Sequence, residues 1–313
     1  MKLKKSKKIK FGIVGYGSIG KIHNSILNKL GYETLIFDTK KESNKIKYSS
    51  LKEISENCEA IIISSPSFTH FKYLEYFSKK NKHIFIEKPF SHEVNKTNKI
   101  LKDYKKNKNI IAVNYNLRVR KSVEVLKKSL KKVNQIYWSK FTMSSNVLNW
   151  RKDYNFSKNY THNRLAGGII FDSIHEIDLN HYLFGDVKFI NSSLINYDKK
   201  IFKNNSFAHI LLKINNEFIS SIQLDYKGGP DRRTIEILTD KGLFLTDIKK
   251  NTLKLIDKNN QIKIFKKYLP QKIDDYTKMM KNFVLKINNS KKEIICGPEV
   301  ALKNVKIAKL ADE

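Results

Sequence analysis

The chain has 313 residues, more than one hydrophobic core usually organises, so its length predicts two domains. Its net charge of +31 would suit a nucleic-acid or acidic-membrane partner. However, only six of its 61 basic residues are arginine, the side chain favoured where phosphates and base edges are recognised. Lysine is scattered along almost every segment, which indicates a compositional bias and argues against a nucleic-acid-binding protein.

Cysteine content and hydropathy indicate the compartment. The two cysteines, Cys58 and Cys296, are too few for a disulfide framework or a metal cluster, so we expect a reducing compartment and no metal site. The apolar run behind the charged N-terminal residues is interrupted by Gly12, Gly15 and Gly17, unlike that of a signal peptide. No apolar stretch approaches the ~18 residues that span a bilayer. We therefore expect a cytoplasmic protein without a membrane partner.

The first 115 residues alternate short apolar runs with amphipathic stretches of helical length. This alternation predicts right-handed crossovers and a parallel sheet covered on both faces, a doubly wound α/β domain of the Rossmann type. The predicted strands are KIKFGIV (8–14), TLIF (34–37), AIIIS (60–64), HIFIE (83–87) and IIAV (110–113). The predicted helices cover 19–30, 67–80 and 91–106, and the segment between TLIF and AIIIS is predicted to be poor in helix.

The pattern changes from about residue 133, where longer strand-like runs follow one another without helices between them. These runs are QIYWSKFTM (135–143), FAHILLKI (207–214), EFISSIQLDY (217–226), RTIEILT (233–239) and GLFLTDI (242–248). They predict an α+β domain with a mostly antiparallel, open-faced sheet. We place the boundary near Arg118, which gives domains 1–118 and 119–313, with a last helix at 297–310 that could pack back on the first domain. The open sheet face predicts a homodimer or homotetramer.

The hexapeptide GYGSIG (15–20) lies between a predicted strand and a predicted helix. Its first glycine allows a tight turn, the second lets a pyrophosphate approach the backbone, and the third lets the helix pack closely on the strand. The helix N-terminus supplies N–H groups that favour phosphate. The pattern predicts a dinucleotide-binding turn. The cofactor-binding residues predicted here are Gly15, Gly17, Ser18, Ile19 and Gly20.

Asp38 follows the next predicted strand, 18 residues after the last glycine of the turn. An acidic side chain at this place accepts a hydrogen bond from the ribose 2′-hydroxyl of NAD, whereas it repels the 2′-phosphate of NADP. Lys40 and Lys41 could neutralise such a phosphate. The sequence therefore favours NAD and leaves NADP open.

Two further strand ends carry polar residues: SSPSFTH (64–70) and the end of IFIEKPF (84–90). Ligands lie across the carboxyl ends of parallel strands, so both segments should line the path of the cofactor. Pro89 keeps the residues before it out of helical conformation, and Lys88 should point toward the reactive end of the dinucleotide. The predicted cofactor contacts here are Ser64, Ser65, Pro66, His70, Glu87 and Lys88.

In order and spacing, several motifs resemble the Gfo/Idh/MocA family of oxidoreductases, which includes inositol and glucose–fructose type sugar dehydrogenases. These motifs are GYGSIG, Asp38, SSPSFTH, EKP (87–89), VNYNLR (113–118) and GGIIFDSIHEID (167–178). The resemblance covers nearly the whole chain, and EKP is its most specific part. It implies an NAD(P)-dependent enzyme in which the EKP lysine, here Lys88, lies close to the nicotinamide and to the reacting oxygen of the substrate. An ammonium there would polarise a carbonyl.

GGIIFDSIHEID also offers an acid and a base. We predict one helix on which His175 and Glu176 follow Asp172 at i+3 and i+4, so that all three share a face. Histidine titrates near neutrality, which makes His175 the predicted general base, with Asp172 orienting it or holding a substrate hydroxyl. In the better-known members of the family the acid and the histidine are four residues apart, and here they are three apart. Glu176 could therefore take the place of Asp172.

Substrate contacts are predicted in two segments. Tyr115, Asn116 and Arg118 end the last strand of the first domain and should frame the substrate, although Arg118 could equally form an interdomain salt bridge. The segment NWRKDYNFSKNYTHNR (149–164) resembles a subgroup of the family linked to surface-polysaccharide and acidic-sugar pathways. Its residues that could bind hydroxyl, carboxylate or phosphate groups are Arg151, Tyr154, Tyr160 and Arg164.

The sequence thus predicts an NAD(P)-dependent sugar dehydrogenase or reductase that acts on a cyclic polyol, a keto-sugar or a nucleotide sugar in envelope glycan synthesis. Three alternatives stay open. A non-catalytic sensor would keep the dinucleotide turn without needing Lys88, a nucleic-acid binder would use the positive charge, and a redox-neutral enzyme would never release its cofactor.

Overall fold

The structure, a computed structural model, describes residues 9–40, 46–104, 108–149, 167–269, 272–288 and 291–313. Contacts divide the chain into two compact units. The first unit comprises Met1–Asn114 and Tyr276–Pro298, and the second comprises Tyr115–Asp275 and Glu299–Glu313. The sequence-based division at Arg118 does not include the return of residues 276–298 to the first unit.

Five parallel strands form the sheet of the first unit, in the order β2-β1-β3-β4-β5. The strands are β1 (Phe11–Val14), β2 (Thr34–Phe37), β3 (Ala60–Ile63), β4 (His83–Glu87) and β5 (Ile111–Asn114). All four residues of β3 are fully buried, as continuous apolar strands are when both faces of a parallel sheet are covered. The predicted Rossmann-type sheet is confirmed, and its strand order changes direction between β1 and β3.

Helices connect these strands, and one of them contradicts the prediction. They are α1 (Ser18–Lys29), α2 (Leu51–Asn57), α3 (His70–Ser78) and α4 (Val94–Tyr104). The segment predicted to be poor in helix contains α2. The Ser50 hydroxyl accepts the Glu53 N–H at 3.0 Å, and the Glu53 carboxylate accepts the Ser50 N–H at 3.4 Å. This capping box starts the helix, and the prediction is wrong because it did not weigh the Ser-x-x-Glu pattern.

An eight-stranded sheet dominates the second unit, in the order β13-β12-β11-β10-β6-β9-β8-β7. Its strands are β6 (Ile136–Ser144), β7 (Val187–Ile195), β8 (Phe207–Ile214), β9 (Phe218–Asp225), β10 (Arg232–Thr239), β11 (Gly242–Asp247), β12 (Thr252–Ile256) and β13 (Ile262–Lys267). All neighbours pair antiparallel except β6 and β9, which are parallel. The predicted α+β class is confirmed.

The remaining helices are α5 (Lys121–Leu130), α6 (Ile169–Asp172), α7 (His175–Phe184), α8 (Lys272–Asn288) and α9 (Pro298–Asp312). From Tyr276 onward α8 belongs to the first unit, where the ring of Phe283 lies 5.4 Å from that of Phe85. After α8, the Cys296 carbonyl accepts the N–H of Val113 in β5 at 3.0 Å. The chain therefore returns to the first sheet through α8 and the segment after it, whereas α9 groups with the second unit.

A buried ion pair connects three elements of the second unit. Arg118, in a short 3₁₀ turn, donates from Nε at 2.8 Å and from a terminal nitrogen at 2.6 Å to the two carboxylate oxygens of Asp178 in α7. Asn304 in α9 donates to the same carboxylate at 2.7 Å. The side chains of Arg118 and Asp178 are 6% and 1% exposed, so the carboxylate depends on these donors rather than on water.

Within the described residues, no helix combines the length and the apolar composition needed to cross a membrane.

Gly20→Ala is expected to destabilise the first unit. An added Cβ would lie 2.1 Å from the Gly15 carbonyl oxygen, and such overpacking costs about 1–3 kcal/mol of unfolding free energy, more than the up to ~1 kcal/mol that alanine gains in a helix. Gly17→Ala is the control, because no atom lies within 4 Å of its added Cβ. Denaturant unfolding measures both variants. Equal stability of Gly20→Ala and the parent would contradict the close packing of the turn.

Arg118→Met and Asp178→Asn are each expected to lower the free energy of unfolding by about 3–5 kcal/mol, because each removes one charge of a buried ion pair and leaves the opposite charge buried. The control is Lys52→Met, which removes the 3.9 Å surface pair with Glu56, whose two side chains are 83% and 58% exposed. That change should stay within about 0.5 kcal/mol. Chemical denaturation of the three variants provides the comparison, and a fully stable Arg118→Met variant would show that the buried pair does not support the second unit.

Candidate active site

The glycine turn between β1 and α1 leaves an exposed stretch of backbone. Gly15 has φ +93°, and a Cβ there would lie 2.5 Å from the Ser65 backbone, so only glycine fits. Gly17 is exposed and its added Cβ would meet no atom within 4 Å. Ser18 and Ile19 open α1, where the first N–H groups of a helix have no intrahelical acceptor. The exposed backbone at Gly17 and the N-terminus of α1 fit a pyrophosphate.

Asp38 at the end of β2 is tied to this turn. Its carboxylate accepts the Tyr16 N–H at 2.5 Å through one oxygen and the Lys40 N–H at 2.8 Å through the other. Each carboxylate oxygen has a second lone pair, so the group can still accept from a hydroxyl. The carboxylate predicted to bind ribose is therefore oriented by the backbone of the glycine turn.

The end of β3 meets the same turn. The Ser64 hydroxyl donates to the Gly15 carbonyl at 2.8 Å, and the Ser65 and Thr69 hydroxyls lie 2.7 Å apart. Pro66 is exposed and its carbonyl accepts the Thr69 N–H at 2.8 Å. Ser64 and Ser65 thus lie next to the glycine turn, as the parallel pairing of β1 and β3 requires.

His70, predicted as a cofactor contact, is 1% exposed and lies within hydrogen-bond distance of two backbone carbonyls. Its Nδ1 lies 2.7 Å from the carbonyl oxygen of Pro89, and its Nε2 lies 2.9 Å from that of Ser65. Burial lowers the pKa of the His70 ring, although both carbonyl contacts oppose this. A neutral ring has one N–H and donates to one of the two carbonyls. The residue links the loops after β3 and β4.

The carboxylate of Glu87, at the end of β4, also has close polar partners. Its Oε1 accepts the Asn114 amide N–H at 2.7 Å and lies 2.7 Å from Nε2 of His23. Lys88, the next residue, is partly exposed. The sequence reasoning missed His23 and Asn114, although two signals were present: His23 follows the last glycine of GYGSIG by three residues, and Asn114 ends the neighbouring strand, opposite Glu87.

In the second unit, Asp172 and His175 do not lie on one helix, which corrects the prediction. Asp172 ends α6 and His175 begins α7, and Ser173 between them has φ −104° and ψ +26°, outside helical geometry. Asp172 accepts a hydrogen bond from the hydroxyl of Tyr226, which follows β9. The His175 ring meets the edge of the Tyr115 ring at 5.7 Å between centroids. The break in the helix arises from local backbone geometry that residue spacing does not reveal.

Glu176 is 1% exposed and paired with Arg233. The arginine donates from Nε at 2.6 Å to one carboxylate oxygen and from a terminal nitrogen at 3.1 Å to the other. Both Arg233 and Tyr226 were missed by the sequence reasoning, because each lies more than 50 residues from its partner. Glu176 is therefore one half of a bidentate ion pair, which weakens the idea that it replaces Asp172.

The remaining predicted substrate contacts divide into two groups. Tyr115 and Asn116 are buried at the start of the second unit, and Arg118 forms its ion pair with Asp178 of the same unit. The other group lies outside the described residues: Arg151, Tyr154, Tyr160 and Arg164.

Comparison with known proteins gives full-length matches. Myo-inositol 2-dehydrogenase of Thermotoga maritima is 22% identical, with 93% of this chain and 92% of the relative covered. The solved structure of UDP-N-acetylglucosamine 3-dehydrogenase GnnA from Acidithiobacillus ferrooxidans has a TM-score of 0.81 at 16% identity, covering 98% and 97% of the two chains. The WlbA dehydrogenase from Bordetella pertussis, in complex with NADH and UDP-GlcNAcA, has a TM-score of 0.78 at 18% identity, covering 98% and 95%. These structural similarities show a shared fold.

The family assignment comes from both parts of the chain. Residues 9–115 match the domain described as the NAD-binding Rossmann fold of an oxidoreductase family, and residues 125–313 match the C-terminal alpha/beta domain of the same family. Together with the glycine turn, the tethered Asp38 and the EKP strand end, these matches confirm the resemblance seen in the sequence. The chain belongs to the Gfo/Idh/MocA family of oxidoreductases, and its first unit is an NAD-binding Rossmann domain.

Proposed function

We propose that this protein is an NAD-dependent dehydrogenase or reductase that transfers a hydride between nicotinamide and a sugar, a cyclic polyol or a nucleotide sugar. The observation that carries the proposal is the position of Lys88, directly after β4 and at the sheet edge where the glycine turn follows β1. A hydride leaves a carbinol carbon only as its hydroxyl proton is withdrawn, so a cationic donor at the reacting oxygen supports the reaction in both directions.

We assign two parts of the cofactor to residues of the first unit. When bound, NAD would supply the nicotinamide that accepts the hydride. We assign its pyrophosphate to the open backbone at Gly17 and to the N–H groups of Ser18 and Ile19. We assign its adenosine ribose to Asp38, whose carboxylate is oriented by the Tyr16 N–H.

Proton handling is assigned to two residues. Lys88 polarises the reacting oxygen of the substrate, and His175 accepts the hydroxyl proton in oxidation and returns it in reduction. Asp172 has a fixed orientation because it accepts from Tyr226, and its role is to hold a substrate hydroxyl or to orient His175. We do not assign proton transfer to Glu176, since Arg233 contacts both of its carboxylate oxygens.

The substrate class follows from the relatives and the charge. The named relatives are dehydrogenases of myo-inositol and UDP-N-acetylglucosamine, and WlbA is seen with UDP-GlcNAcA. A polyhydroxylated ring is common to these molecules. A net charge of +31 would raise the local concentration of an anionic sugar such as a nucleotide sugar. We therefore place the protein among sugar dehydrogenases that could serve surface-polysaccharide synthesis, with Arg151, Tyr160 and Arg164 as further proposed contacts to the anion.

We also propose that the protein forms a homodimer or homotetramer through the open face of its second sheet. Trp138 on β6 and Ile219 on β9 are register partners and are 37% and 42% exposed, and Ile190 and Ile195 on β7 are each 47% exposed. Exposed apolar side chains on a sheet often mark a protein interface. We propose a reducing compartment, the cytoplasm, because Cys58 and Cys296 are both buried and are not joined in a disulfide.

NADH should bind more tightly than NADPH, and Asp38→Asn should remove most of this preference. The loss of a charge-assisted hydrogen bond, about 1.5–3 kcal/mol, corresponds to roughly a tenfold or greater weakening for NADH. Asp186→Asn, at an exposed position, is the control. Fluorescence titration at low and high salt gives the affinities, with a random oligonucleotide as competitor. Binding of the oligonucleotide, with no binding of either cofactor, would refute the dehydrogenase proposal.

Lys88→Met should keep NADH affinity within about threefold yet lower turnover by roughly 10²- to 10⁴-fold, the usual contribution of a positioned proton-transfer group. Lys82→Met, just before β4 at the opposite end of the strand, is the matched control and should keep full turnover. Reduction of NAD is followed at 340 nm with myo-inositol, UDP-N-acetylglucosamine and UDP-GlcNAcA. If Lys88→Met retains most of the activity, Lys88 is not the catalytic residue.

A further inference from the structure

The segment Glu87–Lys88–Pro89 is held by buried side chains that the proposed chemistry does not use. On one side, His23 of α1 is fully buried, with Nε2 2.7 Å from Oε1 of Glu87. The His23 ring meets the edges of the Phe85 and Tyr276 rings, at centroid distances of 5.4 and 5.8 Å. The contacts of the His23 ring with these two aromatic rings restrict the orientation of the imidazole. They therefore keep Nε2 facing Glu87.

On the other side, His70 of α3 is held as tightly. Its Nδ1 lies 2.7 Å from the carbonyl oxygen of Pro89, the shorter of its two contacts, and its Nε2 lies 2.9 Å from that of Ser65. The ring therefore anchors the residue after Lys88 to the end of β3. Of the three residues Glu87, Lys88 and Pro89, only Lys88 has a side chain to which we assign a chemical role.

We propose that His23 and His70 are positioning residues for Lys88, together called the histidine clamp. His23 fixes Glu87 through its carboxylate, His70 fixes Pro89 through its carbonyl, and the backbone of Lys88 is thereby held from both neighbours. This inference rests on the proposed function, because the clamp serves catalysis only if Lys88 acts on the reacting oxygen of the substrate.

A clamp on the backbone matters because a lysine side chain is long and flexible. Its ammonium can reach one defined point reproducibly only when the Cα from which it extends does not move. A displacement of about 1 Å of a reacting group can cost about 10²-fold in rate. Asn114, which donates to the same oxygen of Glu87 as His23 approaches, reinforces the first anchor from β5.

The clamp can be tested without a known substrate by placing a thiol at the clamped position. In a Lys88→Cys variant, the rate of alkylation by iodoacetamide reports the surroundings of residue 88, since the two native cysteines are each 1% exposed. Adding His23→Leu or His70→Leu should change the alkylation rate constant at least fivefold and shift its pH profile. Intact-mass spectrometry measures the rate from pH 6 to pH 10.

Conservative variants distinguish positioning from bulk packing. His23→Gln keeps a donor near the Nε2 position and His70→Asn keeps one near the Nδ1 position, so both should restore the rate to within twofold. The matched control is His83→Leu, at the start of β4, which should leave the rate unchanged. Relative to Lys88→Cys alone, adding a His23 or His83 change should leave the NADH affinity within threefold, as measured by fluorescence titration. Where a leucine variant does not fold, Glu87→Gln in the Lys88→Cys background replaces it and should give the same change.

Unchanged alkylation in the leucine variants would overturn the clamp. That result differs from failure of the proposed function, which Lys88→Met with full turnover would reveal, because alkylation does not depend on catalysis. With a substrate of the panel that is turned over, His23→Leu should lower kcat at least tenfold in the parent and less than twofold in the Lys88→Met background. A loss of equal size in both backgrounds would show that His23 does not act through Lys88.

Discussion

Parallel pairing of the five strands is the constraint on which the first unit depends. It places every carboxyl end at one edge, so residues far apart in sequence meet without any local signal that links them. The backbones of Gly15 and Ser65 approach closely at this edge, since a Cβ added to Gly15 would lie 2.5 Å from the backbone of Ser65. The hydrogen bond from Ser64 to Gly15 and that from Tyr16 to Asp38 then tie the ends of three strands together.

Buried carboxylates impose a second constraint, and it explains where this lysine-rich chain uses arginine. Of the four arginines in the described part of the chain, three pair with carboxylates that are at most 2% exposed: Arg118 with Asp178, Arg120 with Asp275 and Arg233 with Glu176. A planar guanidinium can donate two parallel hydrogen bonds and loses less hydration than an ammonium, so it suits a buried partner. The lysine pairs with Glu56 and Glu75, by contrast, are exposed. In these ion pairs, arginine is therefore used with the buried carboxylates, despite the lysine-rich composition of the chain.

The predictions from sequence succeeded where local pattern controls structure. Alternating apolar runs identified the strands of the first sheet, and GYGSIG marked the turn before α1. The same reasoning failed for α2, where a capping box outweighs a polar segment, and for the region from Asp172 to His175, where two short helices replace the single one expected. In both cases the outcome depends on a few backbone dihedral angles and hydrogen bonds that hydrophobic periodicity does not report.

By itself, the sequence determined the class of both domains, the family, and the strand ends to which we assign the cofactor and Lys88, because these depend on short motifs and their order. Only the tertiary structure decided which polar side chains already have partners. Glu87 meets His23 across 64 residues, Arg118 meets Asp178 across 60, and Glu176 meets Arg233 across 57. Each of these pairs joins chain segments that are distant in sequence and meet in the fold. The partner of each buried carboxylate is therefore the donor that tertiary packing places next to it. No local pattern specifies such a partner.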